Sequence, residues 1–191
     1  MSLLVLGLVL FLGIHSVSIV APAWRDAQVE RRGERVWKGM YALASLAGLV
    51  LLIHGYGVAR QAPVLLYTPP PALRHVALLL MLPVFPLLFA AYLPGRIQRT
   101  AKHPMLLAVM FWATSHLLVN GTLADVFLFG AFLVWAVADW ISVKHRAVPR
   151  SVPGARPGAL NDVTALAGGV VVYAGFLWGA HIWLTGVSPF A

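Results

Sequence analysis

Cysteine is absent from the 191-residue chain, which excludes disulfides, thiolate metal ligands and cysteine nucleophiles. Charge is scarce as well. Asp, Glu, Lys and Arg make up 10% of the residues, where an ordinary globular domain is about a quarter charged. Of the six acidic side chains, no two fall together within the apolar segments as a general acid–base pair. There is also no separate basic domain and no helix suited to a groove. The net charge of +8 therefore does not read as nucleic-acid binding.

Long apolar runs are what the sequence has in their place. It is 60% hydrophobic, with mean hydropathy +0.84. Runs of about 20 residues recur, the length that crosses a hydrocarbon core of about 30 Å. The pattern predicts an all-α, polytopic integral membrane six-helix bundle, one domain over residues 1–191. Its helices are expected at about 3–21, 36–58, 73–93, 104–119, 122–143 and 163–187. The first segment and Ala21-Pro22-Ala23 mimic a secretory signal with a cleavage site. No Lys or Arg precedes it, however, and five follow, the reverse of a signal's charge order. It reads as a retained helix.

Pro83 and Pro86 should kink the third segment, obliging a neighbouring helix to satisfy the freed carbonyls. Pro104 suits the first position of the fourth segment. Asn161 and Asp162 are N-cap candidates for the sixth. Gly175 and Gly179 form a small-xxx-small pair for close packing. Twelve of the fourteen Lys and Arg residues fall in the links after segments one, three and five. The positive-inside rule makes those links cytoplasmic and, with six spans, both termini periplasmic. The expected location is the inner membrane of a bacterium.

The chemistry rests on histidine. His15, His54, His116 and His181 lie within apolar segments, and a rise of about 1.5 Å per residue places the last three at similar depth. An ionisable residue at membrane depth is a functional-site hypothesis by default. Trp112, His116 and Asn120 share a face at i, i+4, i+8 spacing. Neutral imidazoles from separate helices, among aromatic and small apolar residues, suit haem b with two axial histidines. Zinc or copper held by three histidines from His15, His54, His116 and His181 is the competing metal, and unrelated interhelical hydrogen bonds are the bland alternative. The absence of CxxCH excludes covalent c-type attachment. His103, beside Arg99 and Lys102, sits at a helix start or binds an anionic head group or haem propionate. Asp139 is expected to pair with a loop cation, and Asp125 to be a first-turn acid.

Several motifs together carry a resemblance. Gly13-Ile14-His15-Ser16, Glu30-Arg31-Arg32-Gly33-Glu34-Arg35, Lys102-His103-Pro104, Ser115-His116-Leu117, Asn120-Gly121 and Phe129-Gly130-Ala131 resemble the NnrU family of bacterial membrane proteins and, through it, zeta-carotene isomerase. The resemblance implies a role in denitrification, in the expression or activity of nitrite and nitric oxide reductases. It also implies haem b, with redox or isomerase chemistry. By motif the isomerase's axial ligands fall on His15 and His116, although the depth estimate suits His54 with His116 better. Trp112 and His103 complete the expected cofactor surroundings. The isomerase's cysteine near the second ligand has no counterpart here.

Lys102-His103-Pro104 is also similar to the Arg-His-Pro of membrane methyltransferases that use S-adenosylmethionine. The paired glutamates of that family are missing from Lys144-His145-Arg146-Ala147-Val148-Pro149. A non-catalytic membrane scaffold is the remaining alternative. Expected partners are membrane lipid, a hydrophobic small-molecule substrate or nitric oxide, and a second copy of the chain in a homo-oligomer.

Overall fold

A computed structural model describes residues 1–145 and 154–190. The stretch holding Pro149 and Pro153, and most of the segment searched for paired glutamates, lies outside the described residues. The helices are α1 (Ser2–Val20), α2 (Pro22–Arg32), α3 (Glu34–Ala59), α4 (Leu73–Met81), α5 (Val84–Tyr92), α6 (Arg96–Ala101), α7 (Pro104–Leu117), α8 (Leu123–Lys144), α9 (Asn161–Gly175) and α10 (His181–Thr185). A π-helical turn, Phe176–Ala180, joins the last two.

Five helical stretches are long and apolar enough to cross a membrane: Ser2–Val20, Glu34–Ala59, Leu73–Tyr92, Leu123–Lys144 and Asn161–Thr185. The expected fourth span is shorter than drawn. Helix α7 has 14 residues, about 21 Å at 1.5 Å per residue. The architecture is therefore five candidate spans with one short apolar helix. Helix α2 falls in the link expected after the first segment, because five charged residues among its eleven give no apolar run for a periodicity argument to detect.

The chain divides into two compact units, Met1–Thr68 with Asn120–Arg146, and Pro69–Val119 with Ala147–Ala191. In the first, α1 and α3 run against each other with their backbones touching. A Cβ on Gly48 would lie 2.7 Å from the Phe11 nitrogen, and Gly7 and Gly55 abut the backbones of Leu52 and Leu4 even more closely. Gly48, Leu52, Gly55 and Ala59 are all buried, and their spacing forms a single stripe along α3.

Helix α8 opens with a capping box. Thr122 accepts from the Asp125 N–H, while the Asp125 carboxylate accepts from the Thr122 N–H and hydroxyl. Asp125 is more than a first-turn acid: it is 5% exposed and also accepts the Tyr56 hydroxyl at 2.6 Å. Outside the helices, partial burial and then the nearby Asp125 push the Tyr67 phenol up from its usual value.

In the second unit, Val84, Leu87 and Ala108 form a buried cluster with Leu107, Phe111 and Trp112 against it. The helix breaks between Met81 and Val84, where Pro83 removes a donor. Leu82 N turns back to Leu79 O at 3.3 Å, and the freed Leu78 carbonyl accepts the Tyr173 hydroxyl of α9 at 2.8 Å. The neighbour required by the prolines is Tyr173. Close packing here uses Gly168 and Gly169, which meet the Phe89 ring and Pro86. Gly175 and Gly179, expected to pack, meet nothing within 4 Å among the described residues.

Asp162 is a cap, but not for its own helix. Leu160 holds the N-cap position of α9, and the Asp162 carboxylate instead accepts the Arg96 and Ile97 N–H groups at 2.8 and 3.0 Å. These two donors at the start of α6 have no partner within the helix. Asn161 Nδ2 donates to the Pro94 carbonyl at 2.8 Å, and Ala155 N donates to Tyr92 O at 2.8 Å. Residues 154–162 thus strap the elbow between α5 and α7. Asp162→Ala should release that strap, measured as faster proteolytic cleavage there than in wild type.

The elbow ends in an uncommon turn. Lys102 has φ 60° and ψ −49°, and His103 N donates across it to Ala101 O at 2.6 Å. This is a γ-turn of the rare, strained hand. It delivers Pro104 to the first position of α7, with His103 as N-cap.

Candidate functional site

Three of the four histidines in the apolar helical stretches use the same device. His15 Nδ1 lies 2.6 Å from Phe11 O, His116 Nδ1 lies 2.8 Å from Trp112 O, and His181 Nδ1 lies 2.7 Å from Val187 O. A carbonyl can only accept, so Nδ1 carries the proton in each case and the lone pair of the neutral ring sits on Nε2. An imidazole with its Nδ1–H held by a carbonyl is oriented and tautomerically fixed as a metal ligand commonly is.

His116 and His181 come together in the second unit. Their ring centres are 6.4 Å apart, with planes inclined by 28°. An imidazole nitrogen sits about 2.0–2.1 Å from a bound metal, so two rings on opposite sides of one ion have centres roughly 6 Å apart, and two at a tetrahedral angle roughly 5 Å. Both line a cavity of about 280 Å³ whose other walls are apolar or aromatic, among them Phe85, Leu88, Trp112 and Phe176. Trp112 stacks obliquely on His116 at 5.3 Å as well as supplying its carbonyl partner.

The π-turn sets where His181 points. Inserting one residue per turn shifts every later side chain around the axis, and such turns are frequent at functional sites. Beyond it, Gly186 at φ 74° reverses the chain so that the Val187 carbonyl returns to His181. A side chain rarely adopts this conformation, and glycine does so without steric cost.

His15 belongs to the first unit, half-buried on α1. Phe11, Tyr41 and Trp135 surround it, with ring centres at 4.3, 5.2 and 5.9 Å. The Trp135 Nε1 is buried and meets no hydrogen-bond acceptor among the described residues. His54, in the same unit, is an exposed residue of α3. His103 caps α7, while His75 and His145 are exposed at helix ends. Asn120 lies past the end of α7 and so leaves the face shared by Trp112 and His116; its carbonyl accepts the Tyr67 hydroxyl. Among the described residues, no group of three or more His, Asp or Glu is arranged to hold a metal ion.

Phe85, Phe176 and the Gly186–Val187 turn were not singled out from sequence. The phenylalanines resemble ordinary lipid-facing residues there, and a π-turn leaves no compositional mark. No curated protein and no solved structure matches the chain. A family model described as NnrU protein matches residues 3–189. With nearly its whole length matched, the chain belongs to the NnrU family.

Proposed function

We propose that the protein is a haem b-binding membrane protein supporting denitrification, with His116 and His181 as the residues that hold the iron. The supporting observation is the pair itself: two imidazoles 6.4 Å apart, each with Nδ1–H engaged by a carbonyl, in an apolar, aromatic-lined cavity. The donor set fits haem b, which takes axial histidines in apolar surroundings. Ligand cavities generally run from about 300 to 1,000 Å³, so the cavity here is small for a macrocycle, and a haem held there would be enclosed only in part. When bound, haem would supply a one-electron redox centre, and a diatomic such as nitric oxide would bind the iron only by displacing one of the two histidines.

The chain's own residues have defined tasks. The Trp112 and Val187 carbonyls fix which ring nitrogen is presented. Phe85, Leu88 and Phe176 exclude water from the pair. Lacking a carboxylate or hydroxyl, the walls favour an uncharged ligand. The isomerase chemistry implied by resemblance requires an apolar conjugated substrate, which such walls also suit.

An absorbance spectrum of the detergent-purified chain from haem-replete cells, oxidised and then reduced, tests the proposal. A Soret band is expected, with most of it lost in His116→Ala and in His181→Ala and kept in His15→Ala. Colourless wild-type protein would overturn haem binding. A band lost in His15→Ala but kept in His181→Ala would move the ligand set to the pair implied by resemblance.

A further inference from the structure

Asp162 is the only acidic side chain in the second unit. Both its oxygens are taken up by backbone N–H groups of α6. Four exposed cations share the same elbow: Arg96 and Arg99 on α6, Lys102 in the γ-turn and Arg156 on the strap. The backbone of Arg156 is held beside the elbow, because Asn161 Nδ2 donates to the Arg156 carbonyl at 3.0 Å and to the Pro94 carbonyl at 2.8 Å. Among the described residues, none of these four cations makes an ion pair. In the first unit Arg25 pairs with Asp26 and Lys38 with Glu34, and Arg32 donates to Gln28, while the exposed Arg31 and Arg35 provide a comparison.

The elbow directly follows the apolar stretch Leu73–Tyr92. Tyr92, half exposed at the end of that stretch, is the kind of residue found at head-group level. The Asp162 carboxylate offsets part of the charge of Arg96 and Arg99, but four cations against one acid leave an excess of positive charge. Such an excess at that level attracts anionic lipid, and guanidinium groups match phosphate oxygens in a bidentate manner. We infer that the elbow formed by Arg96, Arg99 and Lys102, with Arg156 on the strap across it, is a binding site for the phosphate head group of an anionic phospholipid. The strap gives the site its specificity over a general basic surface, since it brings a fourth cation from a distant part of the sequence and uses the local acid as a cap. The site does not depend on haem.

Native mass spectrometry of the detergent-purified full chain, titrated separately with phosphatidylglycerol, cardiolipin and phosphatidylcholine, reads the bound lipid directly. Both anionic lipids should bind in preference to phosphatidylcholine. A basic residue near an anionic surface contributes about fivefold, so Arg96→Gln/Arg99→Gln should weaken binding by roughly 25-fold. Arg156→Gln alone should weaken it by about fivefold, which keeps the test available if the double variant fails to fold. Arg31→Gln/Arg35→Gln in the first unit should leave binding unchanged. Equal binding of phosphatidylcholine, full binding by the Arg96/Arg99 variant, or an equal loss in the Arg31/Arg35 variant would overturn the inference. Displacement of the lipid by equimolar inorganic phosphate would do the same, since it would make the ligand a free ion.

Discussion

Gly55→Leu is expected to keep the first unit from assembling, with a loss of roughly 3 kcal/mol or more in stability. The cause is geometric. A side chain at Gly55 would begin inside the backbone of Leu3 and Leu4 on α1, and a helix backbone cannot move aside as a flexible side chain can. Gly48 and Gly7 make the same kind of contact along the interface, so the helices would have to separate over several turns to admit one leucine. Without water to drive apolar surfaces together, helices in lipid associate through such close packing. Helix α3 supplies its own control. Gly57 meets nothing within 4 Å, so Gly57→Ala should be neutral or gain up to about 1 kcal/mol of helix propensity. Fluorescence-detected size exclusion with a heating series separates the two. A Gly55→Leu variant that melts with wild type would refute the backbone contact.

Asp125→Ala should cost about 2–4 kcal/mol. Asp125 accepts from the Tyr56 hydroxyl, the Thr122 hydroxyl and the Thr122 N–H at 2.6, 2.6 and 3.0 Å. Truncation removes one half of a capping box and strands the Tyr56 hydroxyl of α3 in a part-buried position. Tyr56→Phe removes only one of the three bonds and should cost about 1 kcal/mol. If the network is real, the double variant will lose less than the sum of the two singles. Additive losses in apparent melting temperature would mean that the two residues act independently.

Much of this architecture is legible in the residues. Apolar run length places five of the six expected spans as candidate spans, and Pro104 marks the start of α7. The proline pair between Met81 and Leu87 correctly foretells a break mended by another helix. Contacts that depend on distant chain are not legible. Asn161 and Asp162 look like caps for the helix they begin, and nothing local says that the carboxylate serves Arg96 and Ile97 instead. Gly175 and Gly179 have packing spacing, yet spacing does not determine which face meets a neighbour; Pro86 and Phe89 select Gly168 and Gly169. The histidines stood out because imidazole is rare in apolar runs. Depth puts His54, His116 and His181 at one level, but which of them meet is not readable, because the π-turn before His181 changes the face of the helix on which that ring emerges.

The length of α7 has a further consequence. If α7 begins at one head-group layer, about 21 Å of helix ends several ångströms short of the far side of a hydrocarbon core about 30 Å thick. The chain reversal at Asn120-Gly121 would then lie below the surface, where bare peptide groups are tolerated only if protein covers them. Leu66 N and Tyr67 N both donate to the Gly121 carbonyl, at 2.8 and 3.2 Å, and the Tyr67 hydroxyl donates to Asn120 O at 2.7 Å. In that case Leu66 and Tyr67, just ahead of Pro69-Pro70-Pro71, would act as a stopper over the submerged turn, meeting its carbonyls in place of water.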